Sequence, residues 1–181
     1  TAFGVKKYFS DVKFDLVLYS KPPITFTKVI DYVKKKDGAK SYLLLKDIFP
    51  QNAVDMKMMS KNGFIYKFFR KKEHQLYKIS DQIGCMSEAN RQYIYTHNPK
   101  INREKVSVNP NSIQPQPFEE ISAENKAAIK KKNGLPIDKK IFIYGGNLGI
   151  PQGLDFLLET ISATEKDPKM FFLVVGSGTE F

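Results

Sequence analysis

Six short runs of β-forming residues alternate with segments of helical periodicity, and this alternation leaves the chain few architectures. The runs are FDLVLY at 14–19, SYLLL at 41–45, IGCM at 83–86, KVSV at 105–108, IFIY at 141–144 and MFFLVV at 170–175. The near-continuous apolar run at 41–45 fits a parallel strand buried on both faces. Helical spacing is expected over 1–10, 25–36, 64–82, 88–95, 119–132 and 152–164, with Gly38 stopping the second of these and Pro22 and Pro23 marking a turn before it. Repeated β-α-β order predicts α/β sheets of parallel strands with helices on each side. The proline-punctuated connector QPQP at 114–117 suggests two domains, 1–118 and 119–181.

The two domains differ in charge. Residues 1–118 hold 21 Lys and Arg against 10 Asp and Glu, whereas 119–181 hold 8 against 9. A basic first domain points to an anionic partner: a membrane surface, a nucleic acid or a phosphorylated substrate. The segment 64–82 concentrates this character, with Phe64, Phe68, Phe69, Leu76 and Ile79 on an apolar side and Lys67, Arg70, Lys71, Lys72 and Lys78 on a cationic one. Such a helix suits an anionic membrane surface, although packing on a core with a solvated basic face is the commoner use of the pattern.

Composition also excludes chemistries. Cys85 is the only cysteine, which excludes an internal disulfide and any multi-cysteine zinc site, and the two histidines, His74 and His97, give no metal-ligand cluster. Cys85 sits in a predicted strand and reads as a buried inert thiol. No apolar stretch approaches the ~20 residues of a membrane span. The absence of a secretory leader pattern, with one cysteine, fits the cytoplasm.

Candidate site residues lie where predicted strands end, because ligands of open α/β sheets bind at the carboxyl edge. Lys46 and Asp47 follow the second strand, Ser87 the third and Asn111 the fourth. Asp47 is the candidate catalytic carboxylate and Lys46 an anion contact; a helix or turn cap is the competing role for Asp47. In the second domain, IFIYGGNLGIPQGLDFLL at 141–158 reads as strand, glycine-rich turn and helix. Glycines let an anion approach the backbone, and a helix start offers unpaired N–H groups, so the turn suggests phosphate binding. Its spacing is neither G-x-G-x-x-G nor a P-loop.

In order, KDIFPQNAV, SDQIGCMSEANRQYI, KVSVNPNS, IFIYGGNLGIPQGLDFLLETI and FFLVVGSGTEF resemble the retaining glycosyltransferases of family 4, with the GT-B architecture of two Rossmann-like domains. More narrowly they are similar to the bacterial branch that builds capsular polysaccharide and O-antigen. The resemblance covers the chain from about Asp15 onward and implies transfer of a sugar from a nucleotide-sugar donor to an acceptor. It implies that Gly145, Gly146, Asn147 and Gly149 face the donor diphosphate and sugar, that Gln152 and Gly153 open the helix behind them, and that Gly176 and Gly178 line the nucleotide pocket. Lys46, Asp47, Ser87 and Asn111 would line the acceptor side. Asn147 and Gln152 stand where many members carry an arginine and a lysine. The family's N-terminal glycine-rich loop and its acidic pair are not in these residues, so the chain is expected to be about half of a usual member, each domain partial, and inactive alone. A basic first domain fits a lipid-diphosphate-linked acceptor at the inner membrane face. A dinucleotide-dependent oxidoreductase or a basic nucleic-acid binder are the other classes, and neither has its fingerprint here.

Overall fold

The structure is a computed structural model and describes residues 2–20, 26–117 and 119–180. The turn at Pro22 and Pro23, and Phe118, lie outside the described residues. The chain divides into two compact units, Thr1–Ile113 and Gln114–Phe181. Both are α/β with parallel strands only among the described residues.

The first unit carries α1 (Ala2–Tyr8), β1 (Leu16–Ser20), α2 (Thr27–Asp37), β2 (Lys40–Leu45), α3 (Gln51–Asp55), α4 (Phe64–Ile79), β3 (Gln82–Cys85), α5 (Glu88–His97) and β4 (Val106–Val108). Its strands lie in the order β1-β2-β3-β4. Tyr19 pairs with Leu43, Leu43 with Ile83 and Ile83 with Val106, giving one row across the sheet. All four are buried, together with Val29 and Ile30 of α2, Leu76 and Tyr77 of α4 and Ile94 of α5 in the same core.

That arrangement corrects the expectation of helices on each side. Strand order that advances without reversing, joined by right-handed crossovers, keeps α2, α4 and α5 on one face. Strand residues alternate between faces. On the other face Leu16 and Leu18 are exposed, and Tyr42 and Leu44 are half-buried.

Local chemistry sets the boundaries. Gly38 ends α2 in the left-handed conformation (φ 70°), its N–H donating to the Lys34 carbonyl. α4 stops at Ile79, short of the expected 82, because the chain must enter β3 at Gln82. A polar clamp fixes that entry. The Ser41 N–H and hydroxyl both donate to Asp81 Oδ2, at 2.8 and 2.9 Å, and Lys34 Nζ reaches the same oxygen at 2.7 Å. Burial disfavours the charged Asp81 carboxylate, but the hydrogen bonds from Lys34 and Ser41 outweigh it and hold the carboxyl below its ordinary range. A carboxyl depressed in the folded state adds stability above its unfolded pKa, and that stability is lost as pH falls through the folded value. Asp81→Asn is therefore expected to lower the melting temperature at neutral pH, with the gap to the parent closing on acidification below the ordinary carboxylate range; thermal melts across that pH series check it.

α4 also departs from its expected faces. Its buried stripe is Glu73, Leu76 and Tyr77, whereas Phe64 is 83% exposed and Phe68 is 46% exposed. Arg70 is not on a solvated cationic face. It turns inward to the buried Glu73 carboxylate, and its Nη2 donates to the His97 carbonyl at 2.7 Å and to Asn98 Oδ1 at 3.0 Å. Tyr77 OH donates to Glu73 Oε1 at 2.7 Å. Burial first, and then Glu73, push the Tyr77 hydroxyl pKa well up.

The second unit carries α6 (Ala123–Lys132), β5 (Lys140–Asn147), α7 (Leu154–Thr164) and β6 (Met170–Ser177). α6 starts four residues later than expected because Ser122 caps it, its hydroxyl accepting from the Asn125 N–H at 3.2 Å. β5 and β6 pair in parallel from Lys140↔Met170 to Asn147↔Ser177, with the Phe142 and Phe172 rings stacked 5.2 Å apart. Ile143, Val174 and Val175 are exposed.

Candidate functional site

In the first unit the candidate residues gather at the carboxyl edge of the sheet. Leu45, Cys85 and Val108 pair side by side in the last row, so the residues that follow them leave the sheet at one edge. Lys46 and Asp47 are exposed there, and no side-chain hydrogen bond or ion pair engages either among the described residues. The cap role does not apply to Asp47: α3 begins at Gln51 behind Pro50, with no side-chain cap. The chain between them carries a cis Phe49–Pro50 bond, and the Phe49 ring meets Phe69 of α4 edge-on at 5.0 Å. This packs the loop after β2 onto the first half of α4. The short helix α3 was not expected. Asn52 N–H donating to the Ile48 carbonyl starts it, a local bond that propensity does not signal.

Ser87 lies at the same edge, but its hydroxyl is engaged. It accepts from the Asn90 N–H at 3.2 Å and donates to Asn90 Oδ1 at 2.7 Å, capping α5. Cys85 is buried and its thiol pKa is pushed up to about 11 by burial, which leaves it protonated and unreactive at neutral pH. Asn111 is exposed in the coil after β4, without a partner among the described residues.

Asn109 is the asparagine the fold positions, and sequence reading passed over it. Its N–H donates to the Cys85 carbonyl at 2.7 Å and its Nδ2 to Tyr42 OH at 3.1 Å. The tyrosine can lie across the sheet only because residue 84 is glycine: a Cβ there would stand 2.5 Å from Tyr42 OH and 2.9 Å from Asn109 Cβ. A glycine inside a strand signals such close approach, so Gly84 was the available clue.

In the second unit the glycine-rich stretch is ordered differently from expectation. Gly145, Gly146 and Asn147 continue β5 instead of forming a loop, and Gly176 continues β6. The reason is steric. A Cβ on Gly176 would overlap the Gly146 carbonyl oxygen, and one on Gly178 the Leu148 carbonyl oxygen, so glycine lets the two chains run on in close contact. The turn proper is shorter. Leu148 and Gly149 are buried, Ile150–Gln152 form a 3₁₀ turn, and Gly153 in the left-handed conformation (φ 63°) begins α7.

The turn brings Asn147 and Gln152 together, Asn147 Nδ2 donating to Gln152 Oε1 at 3.3 Å. This bond uses Gln152 Oε1 and leaves Nε2 without a partner among the described residues. No side chain caps α7, so its first N–H groups are available, and Asp155 is the acidic residue of that first turn. No lysine or arginine occurs between 141 and 165. The turn can thus offer an anion backbone N–H groups and neutral amides, but no cation of its own. Among the described residues no three His, Cys, Asp or Glu side chains are grouped to hold a metal ion. Nor is any described helix long and apolar enough to cross a membrane.

No protein-family model matches the chain. It is similar to the probable glycosyltransferase WbjE of Pseudomonas aeruginosa, at 25% identity over 97% of this chain and 43% of that protein. It is also similar to the putative colanic acid biosynthesis glycosyl transferase WcaI of Escherichia coli (strain K12), at 32% identity over 75 residues, 41% of this chain and 18% of that protein. The chain thus spans less than half the length of the curated relatives it matches, and over nearly all of its own length it is similar to part of a glycosyltransferase.

Proposed function

We propose that the protein is a retaining glycosyltransferase of bacterial cell-surface polysaccharide synthesis, moving a sugar from a nucleotide-sugar donor to a glycan acceptor on a lipid diphosphate. The observation that carries this reading is the similarity to WbjE across 97% of the chain, on a parallel α/β framework. The donor diphosphate would meet the Asn147–Gln152 turn and the start of α7. Gly145, Gly146, Gly149, Gly153, Gly176 and Gly178 would keep that backbone bare. Charge developing on a leaving nucleoside diphosphate is stabilised by donors already in place, here N–H groups and two amides. Lys46, Asp47, Ser87 and Asn111 would serve the acceptor side, with no resident metal or organic cofactor. Incubating the full-length protein with a panel of labelled nucleotide sugars and a lipid-linked acceptor tests the reading; failure of every donor to transfer or bind would overturn it.

Asp47 is the proposed catalytic carboxylate. Asp47→Asn in the full-length enzyme is expected to lower turnover by more than about tenfold, a loss of one well-placed acid–base or charge contact, while the circular-dichroism melt stays unchanged. Parent-level turnover would remove Asp47 from the site.

The acceptor's membrane suits the N-terminal half of α4. Phe64, Ile65 and Phe68 are exposed there together with Met58, and Lys72 lies 5.7 Å over the Phe68 ring. Exposed aromatics interleaved with lysines favour an anionic interface. Flotation is expected to recover the protein on anionic vesicles and far less on neutral ones, and Phe64→Ser/Phe68→Ser to reduce that recovery. Equal recovery on both vesicle types would defeat the electrostatic part.

A further inference from the structure

Three lysines converge on a cavity at the edge of the first sheet opposite the candidate site. The cavity, about 570 Å³, opens where the last turn of α4 meets the segment 98–105 leading into β4. Lys78 reaches it from α4, Lys100 from the connecting segment and Lys105 from the residue before β4, while Pro99 and Ile101 supply an apolar wall. Ile101 is itself packed on the core, so the wall is anchored.

The lining is cationic without an acid of its own. No Asp or Glu lines the cavity. Of the nearby carboxylates, Asp81 is engaged by Lys34 and Ser41, Glu73 is buried against Arg70 and Tyr77, and Glu104, next to Lys105, is exposed and outside the lining. Among the described residues neither Lys78 nor Lys100 pairs with a carboxylate. Lys105 is held in place by donating to the Tyr77 and Ser80 carbonyls, which also satisfies the end of α4. Burial chiefly lowers the Lys105 pKa, with Asp81 opposing and Lys34 adding to the shift. Asn102 also lines the cavity; its Oδ1 accepts from the Glu104 N–H, and its Nδ2 has no partner among the described residues.

A concave site lined by cations and by no acid attracts an anion, and its walls focus that attraction. Lysine is a compact point charge suited to a multiply charged tetrahedral anion, whereas planar carboxylates favour the arginine fork. The volume and the Pro99–Ile101 wall leave room for an apolar group behind the anion. We propose that this cavity binds a phosphoryl group borne on a small apolar body, held by Lys78, Lys100 and Lys105. The same chemistry occurs in a soluble phosphoester and in a phosphomonoester lipid headgroup.

Hydrogen exchange on the full-length protein tests this with two probes, phenyl phosphate and phosphatidylcholine vesicles containing phosphatidic acid. At least one is expected to slow exchange across 98–105. Phenyl phosphate alone assigns a soluble phosphoester, and the vesicles a headgroup. Lys78→Gln/Lys100→Gln is expected to weaken the effective probe at least about tenfold, the scale of one lost charge-assisted hydrogen bond. Lys78→Arg/Lys100→Arg, which keeps the charge, is expected to retain protection and guards against a folding defect. No slowing at 98–105 with either probe, or slowing that survives the glutamine double variant, would overturn the assignment.

Discussion

Arg70→Met is expected to be among the most destabilising single substitutions in the first unit, at about 3 kcal/mol, the scale for removing one partner of a buried ion pair. Glu73 is 1% exposed, and its carboxylate faces the Arg70 guanidinium from within the α4 stripe that packs on the core. Removing the guanidinium leaves a negative charge in a low-dielectric environment. It also removes the donors to the His97 carbonyl and Asn98 Oδ1 that tie α4 to the end of α5. Chemical denaturation of the parent, Arg70→Met, Glu73→Gln and the Arg70→Met/Glu73→Gln pair gives the test. The pair is expected to be more stable than Arg70→Met alone, because a neutral amide can still meet Tyr77 OH without burying charge. If Arg70→Met unfolds at the parent's midpoint, the ion pair is not a structural element.

Gly176→Ala is the second large effect, and it falls on the other unit. Its Cβ would overlap the Gly146 carbonyl oxygen, a backbone atom that no rotamer change can move. The strands must separate or the register must slip at Gly146↔Gly176, beside the Asn147↔Ser177 pair that leads into the turn. A loss of about 3 kcal/mol or more is expected, within the upper range for single substitutions that force a steric conflict. Gly145→Ala is the control one pair away, since nothing lies within 4 Å of a Cβ there. It should change stability by no more than about 0.5 kcal/mol. Hydrogen exchange along β5 and β6 compares the two directly. Equal protection in both variants would show that the strands do not approach closely at Gly176. The pair also separates fold from function: Gly145→Ala can impair donor binding while β5 and β6 stay protected.

Much of this molecule is written in short-range pattern. All six strands lie where the apolar runs place them, because a short run of β-forming residues bounded by charged and turn residues is a local signal. Gly38 ends α2, and Ser122 marks the true start of α6, since both act through bonds to residues three or four positions away. Ser87 belongs with these. Its Ser-x-x-Asn spacing is a capping arrangement, and the cap engages the hydroxyl that edge position alone nominated for substrate.

The departures share a different cause: each depends on a contact between residues distant in the chain. Residues 145–147 and 176 extend the strands because Gly176 accommodates the backbone of Gly146, thirty positions away. Arg70 reads as surface charge until α5 brings the His97 carbonyl and Asn98 to it. Asn109 rather than Asn111 is positioned because Tyr42 crosses the sheet over Gly84. The three cavity lysines lie as far as 27 positions apart in sequence, from Lys78 to Lys105, and α4 and the segment before β4 bring them to one cavity.

By itself, then, the sequence determined the parallel α/β class, the order of elements and the edge at which Lys46, Asp47 and Ser87 sit, because periodicity and capping are local properties of the chain. Tertiary structure decided which face of the first sheet is covered, which charges turn inward and which glycines the strands require, because burial and close approach exist only once distant segments meet.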